Sequence, residues 1–155
     1  MKTSRGNCDF KEEISLTVLI VGSIAYDSVE SPEGSIDRAL GGSATYGGLS
    51  CRFVQGCNEG GSTGLVGVVG QDFAVEDRTV LSAAGLNLDG LEVAEGETFR
   101  WEGAYRGAMA EAETKATHLN VFEHFQPVVP ADFTSPTVLF CANLHPEIQR
   151  SVMEQ

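Results

Sequence analysis

Residues Gly41-Gly42-Ser43-Ala44-Thr45-Tyr46-Gly47-Gly48 lie downstream of an apolar segment, Leu16 to Asp27, that ends in a lone carboxylate. A glycine pair carries no side chains, so the backbone there can come close to a bound molecule. If a helix begins at this point, its free N–H groups also point toward that molecule. A carboxylate at a strand end and a glycine pair at a helix start therefore predict a binding site for a polyol.

Four segments, in this order along the chain, resemble motifs of the ribokinase-like (PfkB) family of sugar and nucleoside kinases. They are Val18–Asp27, similar to the first strand with its substrate aspartate; Ala39–Gly48, similar to the glycine motif; Gly64–Phe73, similar to the Val-Gly-x-Asp strand and turn; and Gly85–Leu91, similar to the segment after the next helix. The resemblance runs from about Leu16 to the last residue. It implies an α/β fold with a mostly parallel central sheet, flanking helices and a small β lid over the substrate.

The catalytic signature of that family, Asp-Thr-x-Gly-Ala-Gly-Asp, does not occur in this sequence. In the family, its glycines form an anion hole, its last aspartate is the base on the substrate hydroxyl, and the adenine-binding segments lie in the same half. The resemblance thus implies the N-terminal, substrate-side half of a kinase, with the C-terminal half missing. We expect ATP and Mg²⁺ for the intact family member, but no catalytic residue, cofactor or metal in this chain alone, which should be inactive.

The composition fits one cytoplasmic domain, which we divide into a polar N-terminal tail, 1–15, and a partial kinase domain, 16–155. A net charge of −12 argues against nucleic-acid partners and against docking on anionic lipid. Neither a signal peptide nor an apolar run long enough for a membrane is visible. Four cysteines are expected to be free thiols in a reducing compartment: Cys8, Cys51, Cys57 and Cys141.

Hydrophobic patterns and turn residues predict the individual elements. Strands are expected at Ser15–Val21, Gly64–Val69, Leu86–Val93 with a turn at Asp89-Gly90, Thr98–Tyr105, His118–Phe125 and Thr137–Cys141, the last one buried. The lid strands are expected near 28–40 and 98–125, with a turn at 31–34. Helices are expected from Ser43 to about Val54 with Ser43 as the cap, and from Phe73 to Ala84 with Asp72 as the cap. A last helix is expected to start near Glu147, with Pro146 suited to its N1 position.

The resemblance assigns substrate contacts to several of these residues. Asp27 would accept hydrogen bonds from substrate hydroxyls, and Gly41 and Gly42 would contact the substrate through backbone N–H groups. Ser43, at the start of the helix, would bind the substrate as well. The family often has asparagine where this chain has Ala25 and Tyr46. Tyr46 would therefore stack on a substrate ring or fill the space.

Two further residues are candidates for substrate binding. Trp101 lies in the alternating strand, and its ring either covers the substrate or packs on the helix layer. Asn143 follows the last strand at its carboxyl end, where ligands of open α/β sheets bind. The three histidines are not spaced with acid or thiol partners, so a metal site is not predicted. Gly-x-x-x-x-Gly-Lys and Gly-x-Gly-x-x-Gly are both absent, which argues against a P-loop or a dinucleotide site.

The favoured function is an ATP-dependent kinase for a sugar, nucleoside or similar alcohol, of which this chain carries the substrate-binding half. Two alternatives stay open: a non-catalytic module that binds a small molecule, and a remnant that acts only through protein interaction. Half of a parallel sheet would leave an open edge strand, so we also expect self-association.

Overall fold

A computed structural model describes residues 16–56, 61–107 and 111–155. The predicted tail, Cys8 and Cys57 lie outside the described residues. The elements are β1 (Thr17–Val21), β2 (Ala25–Ser31), β3 (Gly34–Gly41), α1 (Ser43–Gln55), β4 (Ser62–Val69), α2 (Val75–Ala83), β5 (Leu86–Val93), β6 (Phe99–Tyr105), β7 (Ala112–His118), β8 (Val138–Cys141) and α3 (Pro146–Met153). Two 3₁₀ helices, Asn120–His124 and Ala131–Phe133, lie between β7 and β8.

The first sheet, which we call the core sheet, has the order β5-β4-β1-β8 with parallel neighbours throughout. Strands β1 and β4 are central and almost wholly buried, as expected for apolar runs rich in β-branched residues. Their side chains alternate between two clusters. Val18, Ile20 and Leu65 pack with α1 and α2 on one face, and Leu19, Val21 and Val66 pack with Phe133 and Val152 on the other.

Helix α1 lies close to the core sheet because small residues face it. Ala44 and Gly48 are buried, and a Cβ atom at Gly48 would meet Leu65 Cδ2 at 2.8 Å. Gly42, the residue before the helix, has φ 97, a conformation that side chains rarely adopt. The glycines of the 41–48 stretch therefore set both the entry of the chain into α1 and its distance from the sheet.

The second sheet, which we call the lid sheet, has the order β3-β2-β6-β7 among the described strands. Strand β2 pairs antiparallel with β3 and parallel with β6, and β6 pairs antiparallel with β7. Only residues 22–24 separate β2 from β1, and α1 begins two residues after β3 ends. The lid sheet is thus joined to the core sheet on either side by residues 22–24 and by the Gly41-Gly42 pair singled out in the sequence.

Both predicted helix caps are wrong. Gly42, not Ser43, precedes α1, and Ser43 is its first helical residue. The second helix begins at Val75 after Ala74, and Asp72 does not cap it. In each case the side chain bonds elsewhere: the Ser43 hydroxyl to Ser23 and Asn143, and the Asp72 carboxylate to Thr98. These tertiary partners outweigh the local capping preference.

Three strand predictions need correction. His118–Phe125 is not a strand, because β7 ends at His118 and Asn120, with φ 50, starts a 3₁₀ helix. Strand β8 is not buried: it pairs only with β1 among the described strands, and Val138 and Phe140 are 45% and 48% exposed. Strand β5 runs unbroken through Asp89-Gly90, where its pairing with β4 shifts register instead of turning.

The turn at 31–34, the strands around 17–21, 62–69 and 99–105, and the last helix agree with the sequence predictions. Pro146 is the first residue of α3, and Gly85 follows α2 with φ 84, as a helix-terminating glycine does. None of the described helices has both the length and the apolar content needed to cross a membrane.

Candidate functional site

A hydrogen-bonded junction joins the carboxyl end of β1, the start of α1 and the end of β8. The Ser43 amide donates to Ser23 Oγ at 3.0 Å, and the Ala44 amide donates to the Ser23 carbonyl at 2.9 Å. Ser43 Oγ accepts from the Ser23 amide and the Asn143 amide, each at 3.3 Å. The first two amides of α1 and the Ser43 hydroxyl are thus held by the protein itself.

This junction lies where the chain connectivity of the core sheet reverses. From β1 the chain proceeds to β4 and β5 on one side, and β8 is added on the other side. Open α/β sheets bind ligands at the carboxyl ends of the strands at such a switch point. Ser23 follows β1 and Asn143 follows β8, so the predicted site region lies at the switch point of the sheet.

The prediction that Asp27 ends the first strand is wrong, because β1 ends at Val21 and the chain turns into the lid sheet before Asp27. Asp27 lies on β2 with its carboxylate against the backbone of Gly41. A Cβ atom at Gly41 would fall 2.1 Å from Asp27 Oδ2, so only glycine leaves the carboxylate this position. Among the described residues, Asp27 has no hydrogen-bond donor and no cation as a partner. Burial raises the pKa of the half-buried Asp27 carboxyl above its usual value. An unpaired, partly desolvated carboxylate is suited to accept hydrogen bonds from a ligand.

Trp101 shares a face of the lid sheet with Asp27. The two residues are register partners on the parallel strands β2 and β6, and side chains of such partners point to the same side. The indole lies over Gly103, where a Cβ atom would meet Trp101 Cη2 at 2.1 Å, and Nε1 donates to Thr114 Oγ1 at 3.2 Å. These contacts fix the half-buried indole against Gly103 and β7, on the same face of the lid sheet as Asp27.

The remaining candidates lie at the rim of this region. Tyr46 is in the first turn of α1 and is 58% exposed, and its amide donates to the Gly42 carbonyl. Asn143 is exposed, and its backbone, not its side chain, is bonded to Ser43. Phe99, the neighbour of Trp101 in the alternating pattern, stacks on Phe122 and therefore packs on the 3₁₀ helix.

Two polar residues that connect elements around the candidate site, Ser23 and Thr98, are not predicted by the sequence reasoning. Ser23 bonds both α1 and the strand end, yet it stands between Gly22 and Ile24 with no motif that marks it. Thr98 is fully buried and donates to Asp72 through its amide and its hydroxyl, both at 2.7 Å. The only available signal was a polar residue at a strand end, which occurs in many loops.

The Asp27 carboxylate gives this arrangement an acceptor suited to hydroxyl groups. Among the described residues there is no group of three His, Cys, Asp or Glu side chains placed to hold a metal ion. His118 lies 3.8 Å from Glu102 on the lid sheet, and His145 accepts from the Glu147 amide at the start of α3. Neither histidine contacts Asp27 or the Ser23–Ser43 junction.

Solved structures of nucleoside kinases and ribokinases share this fold. The nucleoside kinase of Methanocaldococcus jannaschii, an archaeal member of the ribokinase family, matches with a TM-score of 0.63 and 18% identity over 85% of this chain and 46% of its own. Ribokinase from Cryptococcus neoformans, in complex with ADP, gives 0.56 and 20% over 82% of this chain and 42% of its own. The nucleoside kinase of Burkholderia thailandensis, in complex with inosine, gives 0.54 and 23% over 66% and 36%.

The likeness confirms the predicted ribokinase-like α/β fold. No protein-family model matches the chain, and no curated protein does either. The chain spans less than half the length of each of the three solved structures. At these identities the comparison concerns the fold alone.

Proposed function

We propose that this chain forms the substrate-binding half of an ATP-dependent kinase that phosphorylates a sugar, nucleoside or similar small alcohol. The observation that carries the proposal is the unpaired Asp27 carboxylate, held over Gly41 beside the switch point of a ribokinase-like sheet. Two structural neighbours are nucleoside kinases and one is a ribokinase, and one of them was solved with inosine. Their shared feature is a substrate rich in hydroxyl groups.

In this proposal Asp27 accepts hydrogen bonds from two vicinal hydroxyls of the substrate. A hydrogen bond to a charged group contributes about 1.5–3 kcal/mol, so one carboxylate can dominate the binding of a small polyol. Trp101 provides the apolar wall beside it. Tyr46 and the Asn143 side chain border the opening, and Gly41 and Gly42 allow close approach to the backbone.

In this proposal ATP and Mg²⁺ are not held by the described residues. These residues hold no carboxylate cluster for the metal, and Lys115 is paired with Glu30 on the lid sheet. We therefore assign no step of phosphoryl transfer to these residues, and the isolated chain should bind substrate without phosphorylating it. A chain that lacks the general base alone loses about 10²–10⁴ in rate.

Calorimetric titration of the chain with inosine and ribose, with hypoxanthine as the matched control, tests the proposal. We expect saturable binding of the two compounds that carry vicinal hydroxyls and none of the free base. Addition of ATP and Mg²⁺ should yield no phosphorylated product. Equal binding of hypoxanthine, or turnover by the purified chain, would contradict the assignment.

Self-association through β8 is a second part of the proposal. The outer edge of β8 has no partner strand among the described residues, and Val138 and Phe140 expose apolar surface on one side of it. Sedimentation should therefore detect dimers or larger species, and Phe140→Lys should shift the chain toward monomer. A wild-type chain that stays monomeric at high concentration would refute this part.

A further inference from the structure

Arg38 connects the outer strand of the lid sheet to the core. It lies on β3 with φ 55, a left-handed conformation that non-glycine residues seldom adopt. Its guanidinium lies 4.0 Å from the centre of the Tyr26 ring, and Nη2 donates to the Asp72 carbonyl at 2.6 Å. The same nitrogen is 3.7 Å from Asp72 Oδ2. A strained backbone that persists is one that the surrounding contacts hold in place.

The Tyr26 ring under this guanidinium is itself fixed to the core. Its hydroxyl donates to Asp77 Oδ2 at 2.7 Å and accepts from the Ala74 amide at 2.9 Å, at the start of α2. Burial raises the pKa of Tyr26 to about 12, so the phenol stays protonated as a donor. Arg38 therefore contacts two groups, the Tyr26 ring and the Asp72 carbonyl, that do not move independently of the core.

These contacts surround Asp27 on two strands. Asp27 pairs with Ala39 across the β2–β3 ladder, so Tyr26 precedes one member of the pair and Arg38 precedes the other. Gly41, which supports the Asp27 carboxylate, is three residues beyond Arg38 on the same strand. A shift of β3 relative to the core would move the surface on which the carboxylate rests.

We propose that Arg38 is a positioning residue that holds β3 of the lid sheet against Tyr26 and Asp72 and thereby keeps the Asp27 carboxylate over Gly41. The second half of this statement rests on the proposed function, whereas the first half concerns the protein alone. A guanidinium suits the task because its flat face stacks on an aromatic ring while its edge donates hydrogen bonds.

Hydrogen exchange on Arg38→Met tests the first half. Methionine keeps the apolar stem on Tyr26 but removes the charge and the donors. We expect amides of β2 and β3 to exchange about three- to tenfold faster, with amides of β1 and β4 unchanged, because the lost contact acts on local opening. The matched control is Arg106→Met, which removes an exposed pair with Glu113 on the same sheet. Unchanged β2 and β3 rates, or an equal rise in all strands, would overturn the proposal.

Arg38→Lys decides the question if Arg38→Met does not fold. It keeps the charge but not the planar stack and fork, so we expect a smaller rise, again confined to the lid sheet. A lysine variant with wild-type exchange throughout would show that charge alone suffices and would overturn the role given to the guanidinium.

Inosine binding, followed by the fluorescence of Trp101, tests the second half, since Trp101 is the one tryptophan in the sequence. Arg38→Met should weaken inosine binding about three- to tenfold, and Arg106→Met should leave it unchanged. Faster lid exchange with unchanged affinity would overturn the positioning of Asp27. If the wild-type chain binds neither inosine nor ribose, the proposed function fails, and hydrogen exchange still decides the first half.

Discussion

Two aspartates, Asp27 and Asp72, lie where the lid sheet meets the core, and their surroundings are opposite. Asp72 accepts from the Thr98 amide and hydroxyl and from Arg100, and Arg38 lies nearby. Asp27 has no such partner among the described residues. Asp72, whose oxygens are hydrogen-bonded, connects two parts of the fold. Asp27, whose carboxylate has no partner among the described residues, matches the ligand-binding role proposed for it.

The direction of each pKa shift follows from this difference. For Asp72, burial favours the neutral acid, but the hydrogen bonds from Thr98 and Arg100 outweigh it, so the pKa lies below its usual value. For Asp27, burial acts without compensation and the pKa lies above its usual value. A carboxylate that costs stability without stabilising its own fold is a reasonable candidate for a binding group.

The largest expected effect comes from Asp72→Ala. The variant leaves the buried Thr98 hydroxyl and amide without their acceptor, so we expect a loss of about 2 kcal/mol in the free energy of unfolding. Asp132→Ala, at an exposed residue of a 3₁₀ helix, is the control and should stay within about 0.5 kcal/mol. Urea unfolding at pH 7 measures the free energy of unfolding of both variants. Equal losses in Asp72→Ala and Asp132→Ala would mean that the hydrogen bonds of Asp72 contribute no more to stability than an exposed carboxylate does.

The opposite sign is expected for Asp27→Asn. The pKa of Asp27 is higher in the folded than in the unfolded protein. The stability linked to its protonation is therefore fully present at a pH below its pKa in the unfolded chain, and it is lost as the pH rises through its pKa in the folded protein. Near pH 7 the amide variant should therefore be more stable than the wild type, by less than about 1 kcal/mol because water screens a half-exposed group. The advantage should shrink below about pH 4. Unfolding curves from pH 3 to 7 measure it, and a destabilised variant at pH 7 would reveal an internal partner.

The stability contributed by the hydrogen bonds of Asp72 should change with pH in the opposite direction to that of Asp27. Its folded pKa is lowered, so its stabilisation is present above the unfolded value and is lost as the pH falls through the folded one, below about pH 4. The difference in stability between the wild type and Asp72→Ala should accordingly shrink with acidification. A difference that stays constant down to pH 3 would mean that ionisation of Asp72 is irrelevant to the network.

The smallest effect on stability is expected for Gly41→Ala. The new methyl group would displace the Asp27 carboxylate, which is the free end of a side chain and can rotate away, so unfolding should change by about 0.5 kcal/mol or less. Ligand binding should fall nonetheless, because the acceptor has moved. Unfolding and inosine titration on the same sample separate the two effects, and unchanged affinity would mean that the carboxylate position does not matter.

The sequence predicts the fold well where its signals are both local and apolar. The buried strands, the turn at 31–34 and the proline that starts α3 agree with the structure. The two helix-cap predictions are wrong because Ser43 and Asp72 form hydrogen bonds with residues distant in sequence, Ser23 and Thr98. No local pattern encodes those partners. The apolar composition of β8 predicts a buried strand. That prediction is wrong because composition carries no information on whether a neighbouring strand is present.

The candidate site was predictable only in part. The glycine pair before α1 follows from the glycine pattern. Asp27 was chosen as a strand-end carboxylate but lies within β2, and its contact with Gly41 depends on the β2–β3 register. The sequence does not predict two contacts, the hydrogen bond of Ser43 to Ser23 and the stacking of Arg38 on Tyr26. Both depend on how the lid sheet meets the core.

The most direct test of the account is the affinity of Asp27→Ala for inosine and ribose, measured by calorimetry beside Asp132→Ala. We expect loss of the carboxylate to weaken binding by about 1.5–3 kcal/mol, roughly ten- to a hundredfold or more, while the chain stays folded and the control binds as the wild type does. If Asp27→Ala binds both compounds with unchanged affinity, Asp27 is not the substrate-binding carboxylate and the proposed function loses its main support.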